Sequence, residues 1–304
     1  MKTNFCDYHM HTEASDGRYD ADTVIEMAKM NGITSMCITD HDVVYTEAAA
    51  QMRRHDVEII PGVEFNCIDE LDDVLHKIHV IGWNIRPQDP FIQQTMQRHK
   101  QVDRRSNLNA ILDKLEVVTG VRMTVQELIE RFPHSGCLDR QHIAQLMTEK
   151  GIVCEPEEAF QRYIGGHGDR LAYVENPPHS RDDYASMEDV IAAIHHAQGL
   201  AILCHLYYYR LADAPCIQLL RHFKDQGGDA LECDYGHYDE ATQRRLFELA
   251  GKDQFDLCPS AGSDFHGYGD RSFKLGAPWI AEGLKQCWMQ RYHAATFQNQ
   301  SLAE

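Results

Sequence analysis

The chain has 304 residues, 43% of them hydrophobic, and a formal charge of −18. That is enough apolar material for one large core, and too acidic a surface to track a long nucleic-acid backbone, which needs clustered Lys and Arg. No basic-then-apolar leader opens it and no apolar run reaches the roughly 18 to 20 residues that cross a bilayer.

The ten cysteines form no Cys-x-x-Cys pair, and Cys37, Cys204, Cys233 and Cys258 sit in apolar strand-like stretches. They read as reduced core residues, which predicts a cytoplasmic protein without a membrane role. Oligomeric state is not legible.

Taken in order, Phe5 to Gly17 contains His9-x-His11 and then Ser15-Asp16-Gly17. On an extended strand His9 and His11 share a face, and the turn can swing Asp16 back toward them. Imidazole and carboxylate together suit manganese, iron or zinc. Asp20 is placed to cap a helix running to about Asn31, with Val24, Ile25 and Ala28 inward and Gly32 ending it. A buried strand over Ser35–Thr39 leads into Asp40-His41-Asp42, and a second helix is expected from Thr46 to His55. A strand over Glu58–Val63 delivers Glu64, and another over Lys77–Trp83 carries His79. Strand and helix alternate, which predicts parallel α/β architecture.

Between about Pro87 and Val174 strand-like runs vanish. Helical patterns cover Phe91–Leu115, Thr124–Phe132, Asp139–Lys150 and Pro156–Ile164, and Gly165-Gly166 with Asn176-Pro177-Pro178 marks an exit. This predicts a barrel in two parts, 1–87 and 175–304, with a helical insertion over 88–174. Alternation then resumes: helix Met187–Gln198, strand Leu200–Cys204, helix Cys216–Gln226, strand Asp229–Asp234, helix Glu240–Ala250 and strand Phe255–Ser260, with residues after Phe297 expected to fray.

In α/β barrels functional groups gather at the C-terminal ends of strands. Asp40-His41, Glu64, His205, and Asp264 with His266 all follow expected strands, so several strand ends aim polar groups at the rim where His11 and Asp16 emerge. A bare His-x-His could be a surface pair, but such convergence at one rim points to a metal site.

The set His9-x-His11, Ser15-Asp16-Gly17, Thr39-Asp40-His41, Gly62-Val63-Glu64, His79-Val-Ile-Gly-Trp83, His205 and Gly262-Ser-Asp-Phe-His266 resembles the polymerase and histidinol phosphatase (PHP) family. The closer likeness is to its stand-alone, TrpH-like phosphoesterases, including Asp139-Arg-Gln-His-Ile-Ala144 and Ala159-Phe-Gln-Arg-Tyr163 in the insertion. The resemblance implies a distorted (β/α)7 barrel with two to three divalent ions, Mn2+ foremost and Fe2+ or Zn2+ as alternatives. It assigns His9, His11, Glu64 and Asp264 to one ion. Asp16, His41 and His266, with Glu64 bridging, go to a second, and His79 and His205 to a third. A metal-bridging hydroxide, held by Glu64, Asp264 and His41, would attack phosphorus.

That chemistry serves small anionic substrates: phosphate esters of nucleotides or sugar phosphates, such as nucleoside 3′,5′-bisphosphates or monophosphates. Alternatives are opening of a ribose cyclic phosphate followed by monoester removal, 5′-3′ trimming of short oligonucleotides, and a non-catalytic metal-binding module. Arg140 and His142, at a helix start, are expected to reach the substrate anion from a lid formed by the insertion, with Arg104 and Arg105 as further candidates. One stretch departs from the family: His205 is followed by Leu206-Tyr207-Tyr208-Tyr209-Arg210, where relatives usually continue with Pro and a Gly-Arg-Tyr-like run. The tyrosines could pack the rim or stack on a base.

Overall fold

A computed structural model describes residues 5–46, 57–101, 105–136, 138–165, 171, 184–268, 273 and 276–300; the helix expected over 46–55, apart from its first residue, and the exit at 176–178 lie outside these. Seven strands line up in sequence order: β1 (Phe5–Asp7), β2 (Ile33–Ile38), β3 (Glu58–Leu71), β4 (Val74–Trp83), β5 (Leu200–Leu203), β6 (Ala230–Tyr235) and β7 (Cys258–Gly262). Backbone hydrogen bonds from Tyr8 to Ala261 (3.0 Å), Asp264 to His9 (2.8 Å) and His11 to Phe265 (2.8 Å) bring the first segment beside the last, so the barrel is nearly closed.

The sheet is mixed, which the strand-helix alternation did not anticipate. β1–β2, β2–β3, β5–β6 and β6–β7 are parallel, but β3–β4 and β4–β5 are antiparallel. The cause is local: Asp72 and Asp73 both hold positive φ (50° and 60°), the backbone of a two-residue hairpin turn that short acidic side chains tolerate. β3 therefore runs to Leu71 rather than stopping at Val63, and Glu64 stands mid-strand. Conversely β1 ends at Asp7, so His9 and His11 follow the strand instead of lying in it.

Helix α1 (Ala21–Met30) begins as expected, with Asp20 accepting from Thr23 N and Val24, Ile25 and Ala28 buried. The expected helix over Phe91–Leu115 is two, α2 (Pro90–Gln101) and α3 (Arg105–Thr119). Then come α4 (Val125–Arg131), α5 (Arg140–Glu149) and the short α6 (Pro156–Ala159), which widens into a π-type turn over Phe160–Ile164. Leu108, Ile111, Leu112 and Leu115 of α3 build a separate core with Leu128, Ile143, Met147 and Ile164. Ile92 and Met96 of α2 instead join the barrel-side core.

Helices α7 (Met187–His196), α8 (Asp213–Asp225) and α9 (Glu240–Ala250) cover the barrel. Val63, Phe65 and Cys67 of β3 share a cluster with Val190, Ile194, Leu219 and Phe223, so the opposite face of the strand carries Glu64 and Asn66. A last helix, α10 (Pro278–Gln300), was not read from the sequence, although Ile280, Leu284, Trp288 and Tyr292 recur every four residues and pack on the barrel.

Candidate metal centre

Glu64, 1% exposed, is the hub. A parallel bridge to His41, with Asp42 N bonded to Glu64 O at 3.0 Å, places the His41 ring beside it. Its Oε2 lies 3.3 Å from His9 Nε2, 3.2 Å from His11 Nε2 and 3.1 Å from His41 Nδ1. Its Oε1 lies 2.8 Å from His79 Nδ1 and 3.0 Å from His205 Nε2.

Around this carboxylate stand two more. Asp264 Oδ1 is 3.5 Å from His9 Nε2 and 3.3 Å from His11 Nε2, while its Oδ2 accepts from Tyr235 Oη at 2.8 Å. Asp16 Oδ1 is 3.2 Å from His266 Nε2, and Asp16 Oδ2 is 3.8 Å from His41 Nε2.

Two backbone features let these groups meet. His205 and Asp264 hold positive φ (33° and 53°), a strained setting that turns each side chain inward at its strand end. Gly262 has no room for a Cβ, which would strike His9 and Glu232.

Electrostatics sort the histidines. Burial works against the charged form of His9, but Glu232, Glu64 and Asp264 outweigh it and hold its pKa well above the ordinary value. For His11 burial is likewise outweighed, by the carboxylates of Asp264 and Glu64 that face its Nε2, and its pKa rises to about 10. At His41 and His79 burial wins, and their pKa values fall to about 3 and about 4. Burial opposes ionisation of Asp16 and Glu64, yet the facing imidazoles hold both well below the usual carboxylate range.

His9 Nε2, His11 Nε2, His41 Nδ1, His205 Nδ1 and Glu64 Oε2 are buried and make no hydrogen bond among the described residues. Such atoms are rare in folded proteins, and here they crowd together. Four groups of donor atoms lie within 4.8 Å of one another: His11, Asp16, His41 and His266; His9, His11 and Asp264; His9, Glu64 and His205; and His41, Glu64 and His79. Imidazole nitrogens interleaved with carboxylate oxygens form a donor set that fits divalent first-row ions.

A family model for the PHP domain matches residues 7–252. The chain belongs to the PHP family. Its PHP sequence is 30% identical over 298 residues to the 5′-3′ exoribonuclease Rnm of Escherichia coli (strain K12), covering 93% of this chain and 94% of that protein. It is 25% identical over 274 residues to the 3′,5′-nucleoside bisphosphate phosphatase of Chromobacterium violaceum, covering 89% and 90%. A solved structure from Bifidobacterium adolescentis, provisionally assigned as a metal-dependent phosphoesterase, shares the fold with a TM-score of 0.75 at 21% identity, over 93% of this chain and 96% of its own.

The residues expected to touch substrate in this PHP chain are placed differently from one another. His142 is 2% exposed, and its Nδ1 is 2.8 Å from Asp139 Oδ1, the cap of α5. Burial opposes its charge, but hydrogen bonds to Asp139 and to the Ser15 backbone raise its pKa. Arg140 Nη1 donates to Ile164 O at 3.3 Å, within the helical body. Arg104 and the side chain of Arg105 lie outside the described residues.

Supporting residues stand behind the ligand groups, and among them Glu232 was not picked out from the sequence. Glu232 Oε1 is 2.9 Å from His9 Nδ1, and its Oε2 accepts from His205 N at 2.8 Å. A carboxylate at a buried position of the strand Ala230–Tyr235, which also carries Asp234, was the available signal. Asp40 takes hydrogen bonds from Thr12 N (2.7 Å), Thr12 Oγ1 (2.6 Å) and Ser15 Oγ (2.7 Å), shaping the loop that carries Asp16. The Cys204 thiol donates to Glu64 Oε1 at 3.3 Å.

Proposed function

We propose that this PHP protein hydrolyses nucleotide phosphate esters with two to three divalent ions at the barrel rim. The observation that carries the reading is the ring of unpartnered imidazole and carboxylate atoms around Glu64. His9, His11 and Asp264 with Glu64, then Asp16, His41 and His266, and finally His79 and His205 with Glu64, would hold the ions. Mn2+ suits this mixture best, and Fe2+ or Zn2+ also fits. Bound ions would supply Lewis acidity that activates a water near neutral pH and neutralises phosphoryl oxygens.

The chain's own part is to preorganise. Glu64 offers one oxygen to each half of the ring, Glu232 orients His9, and Tyr235 turns Asp264 so that Oδ1 faces His9 and His11. The helical insertion serves as lid. Ser135 Oγ donates to Ser15 O (2.6 Å) and Gly136 N to Ala14 O (2.8 Å), which ties it to the Asp16 loop. Between the two lies a cleft of about 860 Å³ lined by Gly17, Arg18, Phe132, His134, His142 and Tyr268, within the size range of small-ligand sites.

For substrate, we infer cleavage of the ester at O3′ of a nucleotide that carries a 5′-phosphate. A nucleoside 3′,5′-bisphosphate and the 5′ end of a short RNA present the same O3′–P bond. The C. violaceum relative is named a 3′,5′-nucleoside bisphosphate phosphatase and the E. coli relative a 5′-3′ exoribonuclease. The −18 charge disfavours long nucleic acid. The free state of the described cysteines supports a reducing, cytoplasmic setting.

Product analysis of the manganese-loaded protein tests this, using nucleoside bisphosphates, monophosphates, cyclic phosphates and 5′-phosphorylated oligonucleotides of graded length. Turnover should favour bisphosphates and short ends. No turnover of any of them, or full activity in chelator, would sink the reading.

A further inference from the structure

We propose that Tyr208 reads the nucleobase: its ring is the platform on which the base of the reacting nucleotide stacks. The inference rests on the nucleotide reading above and adds the group that supplies base preference.

The three tyrosines after His205 have separate surroundings. Tyr209 is anchored inward; its hydroxyl accepts from His79 N (2.9 Å) and lies 3.1 Å from Cys204 O as donor. Tyr207 packs its ring 6.0 Å from that of Tyr238, and its N donates to Tyr238 Oη at 2.8 Å. Tyr208 also donates its N to Tyr238 Oη (3.1 Å), yet its side of the turn faces outward and the residue is 61% exposed. The Tyr208 ring centre is 5.4 Å from that of His205, whose Nε2 is 3.0 Å from Glu64 Oε1. A large aromatic ring is thus presented beside the metal centre.

The presentation is rigid. Leu206–Tyr209 is a 3₁₀ turn bracketed by two left-handed residues, His205 (φ 33°) and Arg210 (φ 52°), and closed by Tyr208 N to His205 O at 2.7 Å. An ordered turn loses little entropy when a ligand docks on it. Stacking on an aromatic face is indifferent to protein charge, whereas a strongly acidic chain cannot recruit a nucleotide through a basic track. Tyr207 and Tyr209 are partly buried against the barrel-side core, so the exposed ring of Tyr208 is the one a base can reach.

The test measures kcat and KM of the manganese-loaded full chain for adenosine 3′,5′-bisphosphate and for its abasic tetrahydrofuran counterpart. Tyr208→Ala should lower kcat/KM on the adenosine compound about 10-fold or more, mainly through KM, while the abasic compound is unaffected. Tyr208→Phe should restore the wild-type value, because the ring face remains. Equal losses on both compounds would mark a structural role at His205 and overturn the proposal, as would no loss on either. If the wild type hydrolyses the abasic compound as well as the nucleotide, base reading fails while the phosphoesterase reading stands. If it hydrolyses neither, both fall.

Discussion

Glu232 Oε1 lies 2.9 Å from His9 Nδ1, behind a ring whose Nε2 faces Glu64 Oε2 at 3.3 Å. A carboxylate in that position fixes the tautomer and angle of a metal-binding imidazole and raises its basicity. Glu232→Ala is expected to weaken manganese binding about 10- to 100-fold, with Glu232→Gln intermediate because an amide oxygen still accepts. Calorimetric titration of metal-free protein reads this directly. Unchanged affinity in the alanine variant would remove Glu232 from the site.

Asp264→Ala and His41→Ala each delete a group of the ring: Asp264 Oδ1 faces His9 and His11, and His41 Nδ1 faces Glu64 Oε2. Both should lower turnover about 10³-fold or more, since the ions they are proposed to hold would supply the water activation. Circular dichroism should stay native, because each side chain sits at the rim rather than in an apolar cluster. Residual activity near wild type in either would contradict the assignment.

Loading metal should release protons. In the metal-free fold His11 has a pKa of about 10 and His9 one well above the ordinary value, so both are protonated at pH 7 and must deprotonate to bind. His41 and His79, at about 3 and about 4, are already neutral there. About two protons should therefore appear per protein, and affinity should rise with pH through neutrality. Binding enthalpies in buffers of different ionisation heat give the count, and zero release would refute it.

His142→Ala should act on stability first. It removes a buried side chain from the α5 cap and the bond to the Ser15 backbone. The expected cost is about 1 to 2 kcal/mol in denaturant unfolding, together with weaker metal binding through the loosened Asp16 loop. A stable variant with intact metal affinity that failed only on substrate would return His142 to a direct contact.

Ligand chemistry was legible because it is written in residue type. His9-x-His11, Asp16, Glu64 and Asp264-x-His266 announce imidazole and carboxylate wherever the chain goes, and the helix start at Asp20 follows from capping within three residues. Those signals are local, and the structure retains them.

Pairing direction and partnership are not local. The strand signals over Glu58–Val63 and Lys77–Trp83 hold whichever way the strands pair, so the antiparallel β3–β4 ladder depended on how Asp72 and Asp73 turn. Glu232 is 223 positions from His9, and no spacing rule reaches across that distance. Likewise three consecutive tyrosines are chemically equal in sequence. Only the left-handed turns at His205 and Arg210, with the hydroxyl of Tyr238, send one inward, pack one sideways and leave Tyr208 beside the metal centre. Composition determined which groups were available, while long-range hydrogen bonding and backbone handedness decided which of them meet.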